Sequence, residues 1–184
     1  WARTGAVTGQ WQAVTARPLT PGQIISQQKM EPIRVLEEIR PVARTEIKPG
    51  VFIYDFGRQL AGVCRIKAEG PAGSKIVLRH AEALKPDGSL YVGNLAGNAD
   101  NRDTFVLAGK GEYAAPFTYH GFRYVEVTGE KSATVQDIRA LSFGNDVAQA
   151  GFFESSDSRL NKVCEMVNRT YRSNMISLMV DVVG

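Results

Sequence analysis

Short β-rich runs, each closed by a turn signal, recur from about residue 33 to residue 153, and this punctuation constrains the fold more than any other feature. The runs cover 33–39, 42–47, 51–56, 61–68, 75–81, 103–107, 116–119, 122–128, 134–143 and 147–153. Between them stand Lys48-Pro49-Gly50, Gly70-Pro71-Ala72-Gly73, Lys85-Pro86-Asp87-Gly88 and Ala108-Gly109-Lys110-Gly111. In these turns glycine makes a positive φ cheap and proline presets φ. About ten strands at this spacing, with no helical pattern among them, predict an antiparallel β-sandwich or jelly roll. In the run 122–128, alternation sets Arg123, Val125 and Val127 on one face and Phe122, Tyr124 and Glu126 on the other.

The pattern changes near residue 154. Leu160, Val163, Cys164, Val167, Tyr171, Met175 and Leu178 recur at helical steps. A helix is expected over 160–180, with Ser156 as N-cap and Asp157 in the first turn. Residues 1–30 hold Gly5, Gly9, Pro18, Pro21 and Gly22 among polar residues and read as a linker or the end of a preceding module. The expected division is therefore 1–30 linker, 31–153 β-sandwich and 154–184 a helical segment.

Composition removes several function classes. The 184 residues carry 43% apolar and 22% charged residues, enough for a packed core and unlike a disordered chain. A net charge of +3, with no run that concentrates Lys and Arg, is weak evidence for nucleic acid as a partner. No apolar run has the roughly 20 residues that a membrane-spanning helix needs. The chain starts at Trp1, not Met, so the lack of a signal-like segment carries no information about location. Cys64 and Cys164 are the two cysteines, both expected as small buried apolar residues. No Cys/His spacing suits zinc, so neither a metal nor any other cofactor is called for.

Candidate chemistry rests on polar residues inside strand patterns. Tyr54-Asp55-Phe56-Gly57, Arg79-His80-Ala81-Glu82 and Tyr119-His120-Gly121-Phe122-Arg123-Tyr124 each bring polar groups among apolar ones. Asp55, Glu82, Asp103 and Glu126 are carboxylates of the type that glycoside hydrolysis uses in pairs. The simpler reading is that these groups satisfy one another inside the sandwich. Tyr91, Tyr119 and Phe122 are candidates for stacking on a sugar ring. Nucleophile elbows, P-loops and dinucleotide fingerprints are missing.

Four stretches, in this order, carry a family resemblance: Tyr54-Asp55-Phe56-Gly57-Arg58-Gln59-Leu60-Ala61-Gly62; Leu78-Arg79-His80-Ala81-Glu82 with Pro86-Asp87-Gly88 and Leu90-Tyr91; Phe117-Thr118-Tyr119-His120-Gly121-Phe122-Arg123-Tyr124-Val125-Glu126-Val127; and Gly151-Phe152-Phe153-Glu154-Ser155-Ser156-Asp157 with Leu160-Asn161 and Arg172-Ser173-Asn174. The sequence resembles the bacterial α-L-rhamnosidases of glycoside hydrolase family 78 over roughly residues 30–181. The resemblance implies a mainly β fold, an antiparallel jelly-roll or concanavalin-like sandwich with one C-terminal helix that begins an (α/α)6 catalytic domain. It implies an inverting hydrolysis of terminal α-L-rhamnosides whose acid and base are glutamates downstream of this chain. By the same resemblance Asp181 falls at a sugar-contacting aspartate, although Val182-Val183-Gly184 depart from the family pattern there. The expected role is a non-catalytic sandwich fragment, with a free-standing carbohydrate-binding module as the alternative. The implied partners are a rhamnose-containing glycan, reached through the parent enzyme, and the missing catalytic domain or a second copy against the helix; nucleic acid and membrane are not among them. Locations inside and outside the cell both fit.

Overall fold

A computed structural model of the chain describes residues 10, 12–94, 101–130 and 132–180. Residues 12–32 carry no strand or helix and lie exposed. The β-rich region then runs β1 (Ile33–Ile39), β2 (Ala43–Lys48), β3 (Val51–Glu69), β4 (Lys75–Ala81), β5 (Ala83–Leu84), β6 (Leu90–Tyr91), β7 (Arg102–Val106), β8 (Gly111–Ala114), β9 (His120–Gly129) and β10 (Thr134–Asn145). Helix α1 (Ser158–Asn174) follows, then a small hairpin of β11 (Met175–Ile176) and β12 (Leu178–Met179). The architecture is the expected antiparallel β-sandwich with one C-terminal helix. Its principal sheet has eight strands in the order β1-β10-β3-β9-β4-β7, with β2 and β8 also paired to β3, and it curls around one core.

Strand β3 organises the sheet. One edge pairs first with β2, through Val51–Asp55, and then with β10, through Gly62–Glu69. The other pairs with β9 over Val51–Leu60 and onward to Gly62, then with β8 over Arg65–Ala68. The two runs expected at 51–56 and 61–68 are thus a single strand of 19 residues. It bends where Asp55 pairs with Tyr124 and Leu60 with Phe122, so residues 56–59 of β3 oppose only Arg123. Gly57 adopts a φ of +78° inside this bulge, a backbone conformation that is cheap only for glycine.

The bulge sets the core. Phe56 and Leu60 both turn inward, and the Phe56 ring meets Phe122 edge-on at 5.8 Å. Cys64, Ile66, Ile76, Leu78, Val125, Val127, Ile138 and Ala140 complete the centre. The bulge also overturns the expected face assignment on β9. Phe122 and Val125 are both fully buried, although strict alternation puts them on opposite faces. Cys64 is buried as expected, whereas Cys164, on α1, is only half-buried.

Four further expectations are corrected. Residues 116–119 form no strand: Phe117 has a φ of +59° and is 96% exposed. The strand lies just before it, at Gly111–Ala114, where turn chemistry had dominated the reading. Residues 147–153 also form no strand, and Phe152 and Phe153 are exposed. The helix stops at Asn174, because Ser177 takes a φ of +67° and donates its backbone N–H to Asn145 Oδ1 at 2.7 Å. The N-cap is Asp157, not Ser156; its carboxylate accepts from the Arg159 N–H at 2.9 Å. Asn161 clamps the approach by bonding both the N–H and the C=O of Ser155.

Gly62 marks the tightest approach between β3 and β10. A Cβ there would lie 1.8 Å from the Leu141 carbonyl oxygen, a backbone atom that cannot step aside. Gly62→Ala is therefore expected to cost about 3 kcal/mol, at the upper end of overpacking penalties. Urea denaturation checks this, and a midpoint equal to wild type contradicts it.

Candidate functional site

The bulge of β3 and one face of α1 enclose a cavity of about 680 Å³, within the range of small-molecule sites. Gly57–Leu60 form one wall, with Gly121 and Arg123 of β9 and Glu82 beside them. Lys162, Met166, Arg169, Thr170, Ser173 and Asn174 of α1 form the other. The cavity exists because Gly57 and the following residues swing β3 outward under the helix.

Its electrostatics are lopsided. Among the described lining residues, Arg58, Arg123, Lys162 and Arg169 contribute four cations, while Glu82 is the single carboxylate. Glu82 accepts hydrogen bonds from Gln59 and, at 2.8 Å, from Asn94. Arg58 pairs with Glu37, and Arg169 reaches Glu165 one helical turn away at 3.5 Å. Arg123 grips Asp55 through two bonds of 2.8 Å. Asp55 also accepts the Gly57 N–H at 2.6 Å, so the carboxylate ties the bulge to β9. The Arg123 hydrogen bond, reinforced by that of Gly57, holds the Asp55 carboxyl below its ordinary range against a smaller opposing effect of burial.

The candidate carboxylates therefore do not converge. Asp55 is committed to Arg123, Glu82 lines the cavity, Glu126 sits half-buried on β9 opposite Arg79, and Asp103 lies in the interior. The candidate aromatic residues do not form a platform either. Tyr91 is 44% exposed beside Gly93, and Tyr119 is half-buried before β9. Phe122 is fully buried under Phe56 and His80 and offers no face to a sugar, which corrects its reading as a stacking residue. Asp181 lies outside the described residues.

A second grouping was not anticipated as one site. His80 is the penultimate residue of β4, Asp103 lies on β7 and His120 opens β9, and all three are buried. The two imidazoles stack at 4.2 Å with 19° between their planes, and Asp103 Oδ1 lies 3.1 Å from His120 Nε2. Burial, with His120 adding to it, lowers the His80 pKa to about 4, so this ring is neutral at physiological pH. Both histidines stood in motifs noted from the sequence. Their 40-residue separation hid the fact that β3, β4 and β9 bring them together.

With this geometry in place, the relatives become informative. Residues 45–143 match the bacterial alpha-L-rhamnosidase concanavalin-like domain. The chain belongs to that family. An alpha-L-rhamnosidase of Streptomyces avermitilis is 39% identical over 188 residues, which cover 98% of this chain and 18% of the relative. An alpha-L-rhamnosidase of Alteromonas sp. is 31% identical, with 98% of this chain and 20% of the relative covered. The crystal structure of the Streptomyces avermitilis enzyme complexed with L-rhamnose superposes with a TM-score of 0.77 at 36% identity, covering 85% of this chain and 16% of that one. The α-L-rhamnosidase of Dictyoglumus thermophilum gives 0.81 at 33% identity, covering 88% and 19%. This concanavalin-like chain thus spans about a fifth of the length of its curated rhamnosidase relatives.

The Asp55–Arg123 pair gives a pH prediction. A carboxyl whose folded pKa is depressed stabilises the fold above its unfolded value, near pH 4, and loses that contribution as pH falls through the folded value. Asp55→Asn is expected to lower stability at pH 7 by about 1–2 kcal/mol, reduced from a buried charged bond because Arg123 is partly exposed. The difference from wild type should shrink below pH 4. Denaturation curves at pH 7 and pH 3 test this, and an equal gap at both contradicts it.

Proposed function

We propose that this chain is the non-catalytic β-sandwich portion of an α-L-rhamnosidase, joined to the first helix of an (α/α)6 catalytic domain. In this reading residues 31–153 are the accessory sandwich and 154–184 open the helical domain. The observation that carries it is the cavity's carboxylate count. Inverting glycoside hydrolysis needs an acid and a base about 6.5–9.5 Å apart across the sugar, and among the described residues the lining supplies Glu82 alone. Glu82 is already held by hydrogen bonds from Gln59 and Asn94, with no second carboxylate beside it among the described lining residues.

The whole enzyme would act on terminal α-L-rhamnosides, with one protonated glutamic acid protonating the leaving oxygen and one carboxylate activating water, both from segments outside this chain. Support comes from the family match and from the length relation, since the rhamnosidase relatives are about five times as long. The helix fits the same picture. Leu160, Val163, Met166, Val167 and Tyr171 are each about half exposed, and α1 buries no residue completely. Covering a large apolar side chain stabilises by about 1.5–3 kcal/mol, so this stripe favours a partner, either the remainder of the catalytic domain or a second copy.

The purified chain is expected to give no turnover of an aryl α-L-rhamnoside, and no saturable heat with L-rhamnose in calorimetry. Turnover that disappears in Glu82→Gln would overturn the proposal in favour of a small complete hydrolase. Saturable L-rhamnose binding without turnover would instead make the chain a carbohydrate-binding module.

A further inference from the structure

The buried histidines and Asp103 leave a polar gap that the protein's own hydrogen bonds do not close. His80 Nδ1 lies 3.1 Å from the Asn101 carbonyl oxygen, an acceptor, so Nδ1 carries the proton and donates it there. His80 Nε2 is then a bare lone pair. It faces Asp103 Oδ2 at 3.9 Å, and both atoms are buried without a hydrogen-bond partner among the described residues. Two acceptors opposed in this way repel each other, and no described protein donor meets either. One ligand atom from each of His80, Asp103 and His120 falls within 4.8 Å of the others.

We propose that His80, Asp103 and His120 form a buried site for one divalent late first-row cation, of which zinc is the representative. Two imidazole nitrogens and one carboxylate oxygen suit zinc and its neighbours, whereas calcium and magnesium favour all-oxygen shells. A cation turns the opposed lone pairs of His80 Nε2 and Asp103 Oδ2 into ligands, and bonds of about 2.0–2.2 Å can span their separation. The donation from His80 Nδ1–H to a backbone carbonyl is also the arrangement that orients a metal-binding imidazole. His120 now shares a proton with Asp103 Oδ1. On binding, that proton moves to His120 Nδ1 or to solvent, and the ring turns out of its 19° stack so that Nε2 faces the cation. With every ligand buried, the site has a structural role, tying β4, β7 and β9 together.

The chain's two histidines are both in this cluster, so imidazole signals report on it without ambiguity. The test uses untagged, ¹⁵N-labelled chain, freed of metal with a chelator and titrated with Zn²⁺. The proposal expects one bound equivalent by elemental analysis after dialysis, large shifts of both Nε2 resonances and a higher Tm. In Asp103→Asn, uptake should fall at least tenfold. Should that variant fail to fold, the wild-type imidazole spectrum decides alone. Unmoved Nε2 resonances would overturn the proposal whatever the total zinc content. The gap would then belong to a buried water that donates to His80 Nε2 and Asp103 Oδ2.

Discussion

The bulge in β3 is the constraint from which most of the molecule follows. A straight strand of 19 residues would carry one flat ladder past its neighbours. Four residues set against one on β9 bend it, and each half then recruits its own partners, β2 on one side of the bend and β10 and β8 on the other. The bend drops Phe56 and Leu60 into the core beside Phe122. It also lifts Arg58 and Gln59 under the helix, so the same local conformation creates the hydrophobic centre and the cavity. Asp55 secures it from outside by bonding both the Gly57 N–H and the Arg123 guanidinium.

Polar groups in the interior follow a different logic. At the cavity rim, charges meet partners in partial contact with water, where desolvation is small. In the core, two histidines and an aspartate are surrounded by Phe122 and neighbouring apolar residues, and every missing hydrogen bond there carries its full cost. One pair is well made, between His120 and Asp103, and its neighbour between His80 and Asp103 is not. That asymmetry marks the cluster as the part of the sandwich least explained by packing alone.

The sequence made the strands with uninterrupted patterns legible. The bounds of β1 and β4 match the reading, because apolar residues and adjacent turns delimit them without competition. It misled where local chemistry and long-range pairing disagree. Gly109 and Gly111 resemble a turn, yet the following residues pair with β3 as β8. Phe117 and Phe152 are strong strand formers by type, but no strand of the sheet receives them. The helix stripe extends in periodicity to Leu178, and the helix ends early because Asn145, distant in sequence, captures the Ser177 N–H. Phe122 reads as a sugar platform in its aromatic motif and becomes core once the bulge shifts its face.

Turn residues and alternation are local properties that a linear pattern carries, and they were enough for the sandwich class; the ordered motifs carried the resemblance to the rhamnosidase family. Which carboxylate meets which cation, and the union of His80, Asp103 and His120, depended on strand order and on a register shift of a few residues at one bulge. Those are decided by pairing between distant segments, where a one-residue slip exchanges inside for outside. The sequence alone determined that the interior would contain polar side chains; only the tertiary structure decided which of them face one another.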